Sequence, residues 1–229
     1  MNILQNKCIE IGIPTAKKLA EKLGNSILLP NLINIYDNDI ELLNGSLKDG
    51  LSLCKGLGIS PEELVDIQAI KHEATRAWDK YYSKHPKQNT IKKAYYAFYL
   101  LLKKGNERNI ITTAECDEII QQVKVIKDSY TDDKVDEFVV SMRKIYAPYS
   151  LRNKSMGEYT VKMNYYKFIY NIKMSIIMDV LQCSRTYYNN YSTGYLDIGN
   201  LPFINAIRLA VLCNTSVEEL FDKYFNSLL

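Results

Sequence analysis

The chain has 229 residues, 47% of them hydrophobic and 24% charged, with a formal net charge of only +3, which describes an ordinary globular protein with one sizeable core or two to three small helical domains. No apolar stretch approaches the roughly 20 residues that span a bilayer, and the start MNILQNKCIE has no signal-peptide core, so a cytoplasmic protein with no membrane partner is expected. The five cysteines are scattered without a C-x-x-C pair and lie far from His72 and His85, which argues against disulfides and against a metal site.

Glycine and proline are sparse, and apolar residues recur mostly at three- and four-residue spacing, which predicts an almost wholly helical chain. Pro14 followed by AKKLAEKLG predicts a helix with proline in its first turn and Gly24 at its end. Another helix is predicted from Leu47 to Leu57. In SPEELVD, Ser60 and Glu63 have the spacing of a capping box, in which the hydroxyl accepts from the third amide and the carboxylate reaches back. Further along, Thr90 to Lys104 aligns Ile91, Tyr95, Phe98 and Leu102 on one face. Thr113 to Asp128 does the same with Ile119, Val123 and Ile126, and Asp133 to Tyr146 with Val135, Phe138, Val139 and Met142. SKHPKQN and KKGNERN bound the first of these as loops. APYSLRNKSMGEY, with Pro148 and Gly157, is a connection between parts. Charge follows a similar division, because the first seventy residues are net acidic and the positive balance begins at Lys71, peaking between Lys71 and Arg108. Three parts result: 1–70, 71–149 and 158–229.

SVEELFD, Ser216 to Asp222, repeats the capping-box spacing 156 positions after SPEELVD. At the same separation Leu51 corresponds to Ile207, Cys54 to Ala210 and Leu57 to Cys213. A separation of 155 brings Ile33 onto Tyr188 and Tyr36 onto Tyr191; one of 158 brings Leu19 onto Ile177, Ala20 onto Met178 and Leu23 onto Leu181. The ordered series predicts two copies of one small helical unit at the two ends of the chain.

Gln182 to Gly194, QCSRTYYNNYSTG, fits without a gap a pattern of roughly G-V-S-x-x-x-I-S-x-W-E-N-G. In this stretch and its surroundings each unit resembles the five-helix DNA-binding domain of Cro-like, xenobiotic-response-element-type phage repressors. The resemblance implies an all-α fold of two repressor-like helix-turn-helix units flanking a central helical region. It implies that Ser184 caps the recognition helix, that Cys183 and Tyr188 are core residues, and that Tyr191 takes the aromatic position. PFINAIRLAVLCN and SVEELF resemble the fourth and fifth helices. Arg185, Thr186 and Asn189 would then face base edges of double-stranded DNA, since Arg grips guanine bidentately and Asn adenine. Asn190 and Tyr187 reach base or backbone, and Lys173, opening the preceding helix, takes a phosphate position. Met178 stands where the family often has Ala, and Gln182 where it has Gly. The N-terminal copy departs further: Tyr36, Asp37, Asn38 and Asp39 resemble W-E-N-G, but SILLPNLIN has about three extra residues and places Pro30 where the recognition helix begins. Its reading face is left with Asn31 and Asn34, so packing or dimerisation is expected of it.

Between Lys71 and Lys104, Trp78, Tyr81, Tyr82, Tyr95, Tyr96 and Tyr99 interleave with Arg76, Lys80, Lys84, Lys87, Lys92 and Lys93. That mixture suits nucleic-acid backbones, with Lys87, Lys92 and Lys93 as candidate phosphate contacts, while the spacing of Tyr95, Phe98 and Leu102 assigns much of the aromatic content to a core. There is no Gly-rich phosphate loop, H-E-x-x-H or G-x-S-x-G. Asp132, Asp133, Asp136 and Glu137 suit a helix dipole. No enzymatic activity and no cofactor are expected. The leading expectation is a sequence-specific regulator of transcription from a phage, plasmid or bacterial chromosome, acting as a homodimer on a palindromic operator, with the middle helices as dimer interface. The alternative is a protein-interaction or inhibitor module that keeps a repressor-like fold without binding DNA.

Overall fold

The computed structural model describes residues 2–24, 29–151 and 158–222, and the side chains of all of these except 29–31, 39 and 158–161. Every regular element among them is helical, so the all-α class expected from the spacing is the class of the protein. The α-helices are α1 (Ile3–Glu10), α2 (Ala16–Leu23), α3 (Leu29–Asp37), α4 (Asp39–Asn44), α5 (Leu47–Leu57), α6 (Ile67–Tyr82), α7 (Ile91–Glu107), α8 (Thr113–Lys127), α9 (Val135–Leu151), α10 (Glu158–Ile169), α11 (Met174–Leu181), α12 (Arg185–Ser192), α13 (Phe203–Leu212) and α14 (Val217–Leu220). Short 3₁₀ turns lie at Pro61–Leu64, Asp132–Lys134 and Ile198–Asn200. None of the described helices is long and apolar enough to cross a membrane.

Side-chain caps explain most of the helix starts. Thr15 is extended and its hydroxyl accepts from the Lys18 amide at 3.3 Å, so Thr15 is the cap of α2 and Pro14 lies outside the helix rather than in its first turn. Thr112 and Glu115 form a reciprocal box at α8, with the carboxylate 2.8 Å from the Thr112 amide. The end of α9 differs from the expectation. It continues past Tyr146 to Leu151 with Pro148 inside it, because Tyr146 and Ala147 are buried and their packing outweighs the amide that proline removes. Part of the connection read around Gly157 lies outside the described residues. The acidic run also has other work: Asp132 accepts the Ile91 amide at 2.7 Å and so caps α7, while Asp136 pairs with Lys87 at 3.0 Å.

Two hydrophobic cores result. The larger draws on α1 to α6 together with α10 to α14, while the smaller is formed by α7, α8 and α9 around Phe98, Leu102, Ile119, Val123, Phe138 and Met142. The two ends of the chain therefore pack on each other, and the middle third packs largely on itself. Helix α6 belongs to the larger core through Ile70, Ala74 and Ala77, and the division drawn from charge between residues 70 and 71 falls inside it. Charge changes on its exposed face while its apolar face runs on. Lys80 to Asp179 (2.7 Å) and Arg208 to Glu73 (3.3 Å) tie α6 to α11 and α13.

The ends repeat one backbone plan. Left-handed residues close α1, α2 and α5 at Gly12, Gly24 and Gly58, and close α10, α11 and α13 at Asn171, Gln182 and Asn214. Matching hydrogen bonds accompany them: Ile13 donates to the Cys8 carbonyl as Ile172 does to that of Lys167, and Ile59 donates to Cys54 as Thr215 does to Ala210, both at 3.1 Å. Burial corrects one sequence correspondence. Leu32, Ile35 and Tyr36 are the buried residues of α3 and Tyr188, Tyr191 and Ser192 those of α12, whereas Ile33 is 43% exposed. The register is thus 156, as in α5 and α13, and Ile33 is the counterpart of Asn189 rather than of Tyr188. Matching tyrosine to tyrosine by letter displaces it by one position.

The contact between the ends is reciprocal. Ser46 and Pro202 form an antiparallel bridge in which the Leu47 amide donates to the Leu201 carbonyl (2.7 Å) and the Phe203 amide to that of Gly45 (2.8 Å). Residues 45, 46 and 47 correspond to 201, 202 and 203, so exchanging the two ends exchanges the two bonds. The same holds for the packing of α4 on α13, which is mirrored by that of Ile198–Asn200 on α5. Such self-complementary pairing is the signature of a two-fold contact. It is also tight, since a Cβ on Gly50 would lie 2.3 Å from the Phe203 ring, so only glycine fits there.

Candidate nucleic-acid interface

Helix α11 buries Ile176, Ile177, Val180 and Leu181, which anchors it to the larger core. It ends at Gln182, whose φ of 51° is left-handed and costs a non-glycine residue about 1 kcal/mol. Ser184 then turns extended, and its hydroxyl accepts the Tyr187 amide at 3.1 Å, which starts α12. Tyr188 and Tyr191 fix one side of α12 in the core. Burial pushes the Tyr188 phenol well above its ordinary pKa, and the Tyr191 hydroxyl donates to the Asn200 carbonyl at 3.2 Å. Tyr187 is half-buried and meets Tyr191 edge-on at 5.2 Å.

This anchoring decides what faces outward. Arg185 and Thr186 are exposed in the first turn, Arg185 without an ion pair among the described residues, and Asn189 and Asn190 are partly exposed one turn on. From behind, Asn164 of α10 donates to the Ser192 carbonyl at 3.0 Å, and the Lys167 ammonium lies 5.2 Å from the centre of the Tyr188 ring. These two braces carry no motif signal; only the tertiary packing of α10 on α12 reveals them.

The structure thus brings Ser184, Arg185, Thr186, Asn189 and Asn190 together on one helix, with Tyr187 turned partly into the core. Lys173 is placed differently from the others. It opens α11, but its half-buried ammonium donates to Asn171 at 2.5 Å and, with Arg143 and Lys104, lines a cleft of about 470 Å³ beside α7 and α9. Burial, and then the Arg143 charge, lower its pKa. The Lys173 ammonium is thus turned into this cleft and away from the exposed start of α12. The candidate lysines of the middle third are all exposed, Lys87 before α7 and Lys92 and Lys93 in its first turn. Lys87 is bound to Asp136 and lies 4.6 Å over the Tyr82 ring, Lys93 donates to Asn89 at 3.0 Å, and Lys92 is exposed.

The N-terminal counterpart presents other chemistry. Lys17, Lys18 and Lys22 are exposed on α2, while α3 exposes Ile33 and Asn34 where α12 has Asn189 and Asn190. Leu29 and Pro30 occupy the positions of Arg185 and Thr186 in the sequence; their side chains, like that of the candidate Asn31, lie outside the described ones. Comparison with protein-family models, with curated proteins and with solved structures found no match to the chain.

Proposed function

We propose that the protein is a sequence-specific double-stranded DNA-binding regulator of transcription, of phage, plasmid or bacterial type, acting in the cytoplasm without catalysis or cofactor. The observation that carries this reading is the α11-turn-α12 unit, whose second helix is capped by Ser184, locked by Tyr188 and Tyr191, and left with Arg185 and Thr186 exposed at its first turn. A helix presented this way enters a major groove about 12 Å wide with its N-terminal residues at the base edges. Arg185 suits guanine O6 and N7, and Asn189 suits adenine N6 and N7, each such pairing contributing about 1–3 kcal/mol of discrimination. The two end units are read as repressor-like copies, supported by the left-handed helix ends and the common register of burial.

A second reading, an interaction module that keeps this fold without DNA, is favoured by one observation: Ile33 and Ile40 of the N-terminal unit are 43% and 62% exposed. Titration of duplex DNA against salt separates the two. DNA binding predicts an affinity that falls steeply and linearly on logarithmic axes, whereas a partner protein bound through isoleucines predicts a DNA-independent complex that salt does not weaken.

A further inference from the structure

We infer that one chain is already the equivalent of a repressor dimer: its two end units, paired through α5 and α13, straddle a single DNA site, with α12 reading bases on one side and the N-terminal unit holding phosphates on the other. This rests on the DNA reading above and changes its stoichiometry, since two chains on a palindrome are not needed.

The pairing surface is the first argument. Pro202, Phe203 and α14 of the C-terminal unit form a self-complementary face, and the same chain's Ser46, Leu47, Gly50 and 61–64 turn already occupy it. A broken symmetry within this pairing is instructive. The Val217 amide donates to Glu62 at 2.9 Å, but the reverse bond to Glu218 is impossible because Val217 corresponds to Pro61, which has no amide hydrogen. A second chain therefore has no free copy of this face to pair with.

Symmetry is the second argument. A two-fold contact places α3 in the same relation to the axis as α12, so a duplex lying across the axis can meet both units, and half-sites one helical turn apart lie about 10 base pairs from each other. What each unit can do there differs. The C-terminal unit has Arg185, Thr186 and Asn189 for bases, while the N-terminal unit has Ile33 and Asn34 on α3 but exposes Lys17 and Lys18 in the first turn of α2, without ion pairs among the described residues. Cations at a helix start, near its free amides, neutralise phosphates without reading sequence. The inferred site is two half-sites long, with its sequence information in one half.

The test uses the full chain in two steps. Ser46→Cys with Pro202→Cys, oxidised at low concentration, places thiols at a non-hydrogen-bonded antiparallel pair, a geometry that a disulfide spans. The native thiols can oxidise too, so the bonded positions are mapped by digestion and mass spectrometry: the expected product joins positions 46 and 202 of one chain, and the same bond between two chains overturns the inference. Duplexes selected from a random pool are then examined for complex mass and backbone footprint. Expected are one chain per duplex, two protected patches about one turn apart on one face, and a base preference under one patch only. Lys17→Gln with Lys18→Gln weakens binding to all sequences alike and lowers the salt slope by about 1 for each phosphate that a lysine no longer neutralises, leaving the selected sequence unchanged. Two chains per duplex, a palindromic selected sequence or a single protected patch overturns the inference while leaving the DNA reading intact. An intrachain cross-link in a protein that binds no duplex at low salt overturns both, and leaves only the paired fold.

Discussion

At corresponding positions the two ends of the chain put different chemistry on one scaffold. Where α12 exposes Arg185 and Thr186 and, a turn later, Asn189 and Asn190, the N-terminal sequence has Leu29 and Pro30, and α3 exposes Ile33 and Asn34. Inside, little differs: Leu47 and Phe203, Leu51 and Ile207, and Leu64 and Leu220 are buried pairs, and left-handed residues close three corresponding helices in each. Packing and helix ends constrain a position through the folding free energy, which each substitution changes by kilocalories. An exposed face has no such constraint and is shaped by what it touches. On the proposed reading, α3 belongs to a unit that pairs and holds phosphates and α12 to one that reads bases.

The largest expected effect concerns what the ends share. Phe203→Ala should lower the stability to urea by about 3–5 kcal/mol, because it removes a fully buried aromatic ring from the junction between the ends; a decrease below about 1 kcal/mol would mean that the two ends are not one core. Next comes the reading face. Arg185→Ala combined with Asn189→Ala should cost about 2–6 kcal/mol of affinity for the selected duplex, at about 1–3 kcal/mol for each base pairing. It should leave the fold and the affinity for unrelated DNA nearly unchanged, whereas Ile33→Ala and Asn34→Ala should leave sequence preference as it was. Equal effects from the two helices would erase the contrast drawn between them.

A smaller effect tests the helix ends. Gly24→Gln should destabilise by about 1 kcal/mol, since the position is left-handed and otherwise open, and Gln182→Gly should relieve a similar strain, offset in part by the entropy of an added glycine. Urea titrations of the two variants should move in opposite directions. The smallest effect is electrostatic. The Ser60 amide and Lys7 hold the Glu63 carboxyl below its ordinary value of 4.5, and the Tyr166 hydroxyl does so first for Glu219. The folded protein then binds these protons less readily than the unfolded chain. Their stabilisation is complete above about 4.5 and is lost as pH falls through the lower folded values. Glu63→Gln with Glu219→Gln should flatten the acid limb of the stability curve, and an unchanged acid limb would remove both carboxylates from the account.

Much of this was legible in local sequence. The helix from Leu47 to Leu57 has its predicted bounds, the one read from Thr90 starts one residue later with Thr90 as its cap, and Ser184 stands as the cap that the resemblance implied. The candidate site was legible as far as its helix: Ser184 caps α12 and Arg185 to Asn190 lie on it, with Tyr188 and Tyr191 inside. What local sequence does not carry is pairing at a distance. Nothing near Lys87 announces Asp136, nothing near Lys173 announces the cleft it shares with Arg143 and Lys104, and the packing of Ser46 on Pro202 joins segments that the chain separates by its whole middle third. The displaced register of α3 has another cause. Tyr36 and Tyr191 look alike as letters, but burial at Leu32, Ile35 and Tyr36 follows the helical period, and the period, not the aromatic match, sets which side meets the core.

The central claim is that α12 reads DNA. Its most direct test is selection of duplexes from a random pool by the full chain, repeated with the variant carrying Arg185→Ala and Asn189→Ala. The account predicts a recurrent sequence for the unaltered protein and its disappearance in the folded variant. An unaltered protein that enriches no sequence, or a variant that enriches the same one, would contradict it.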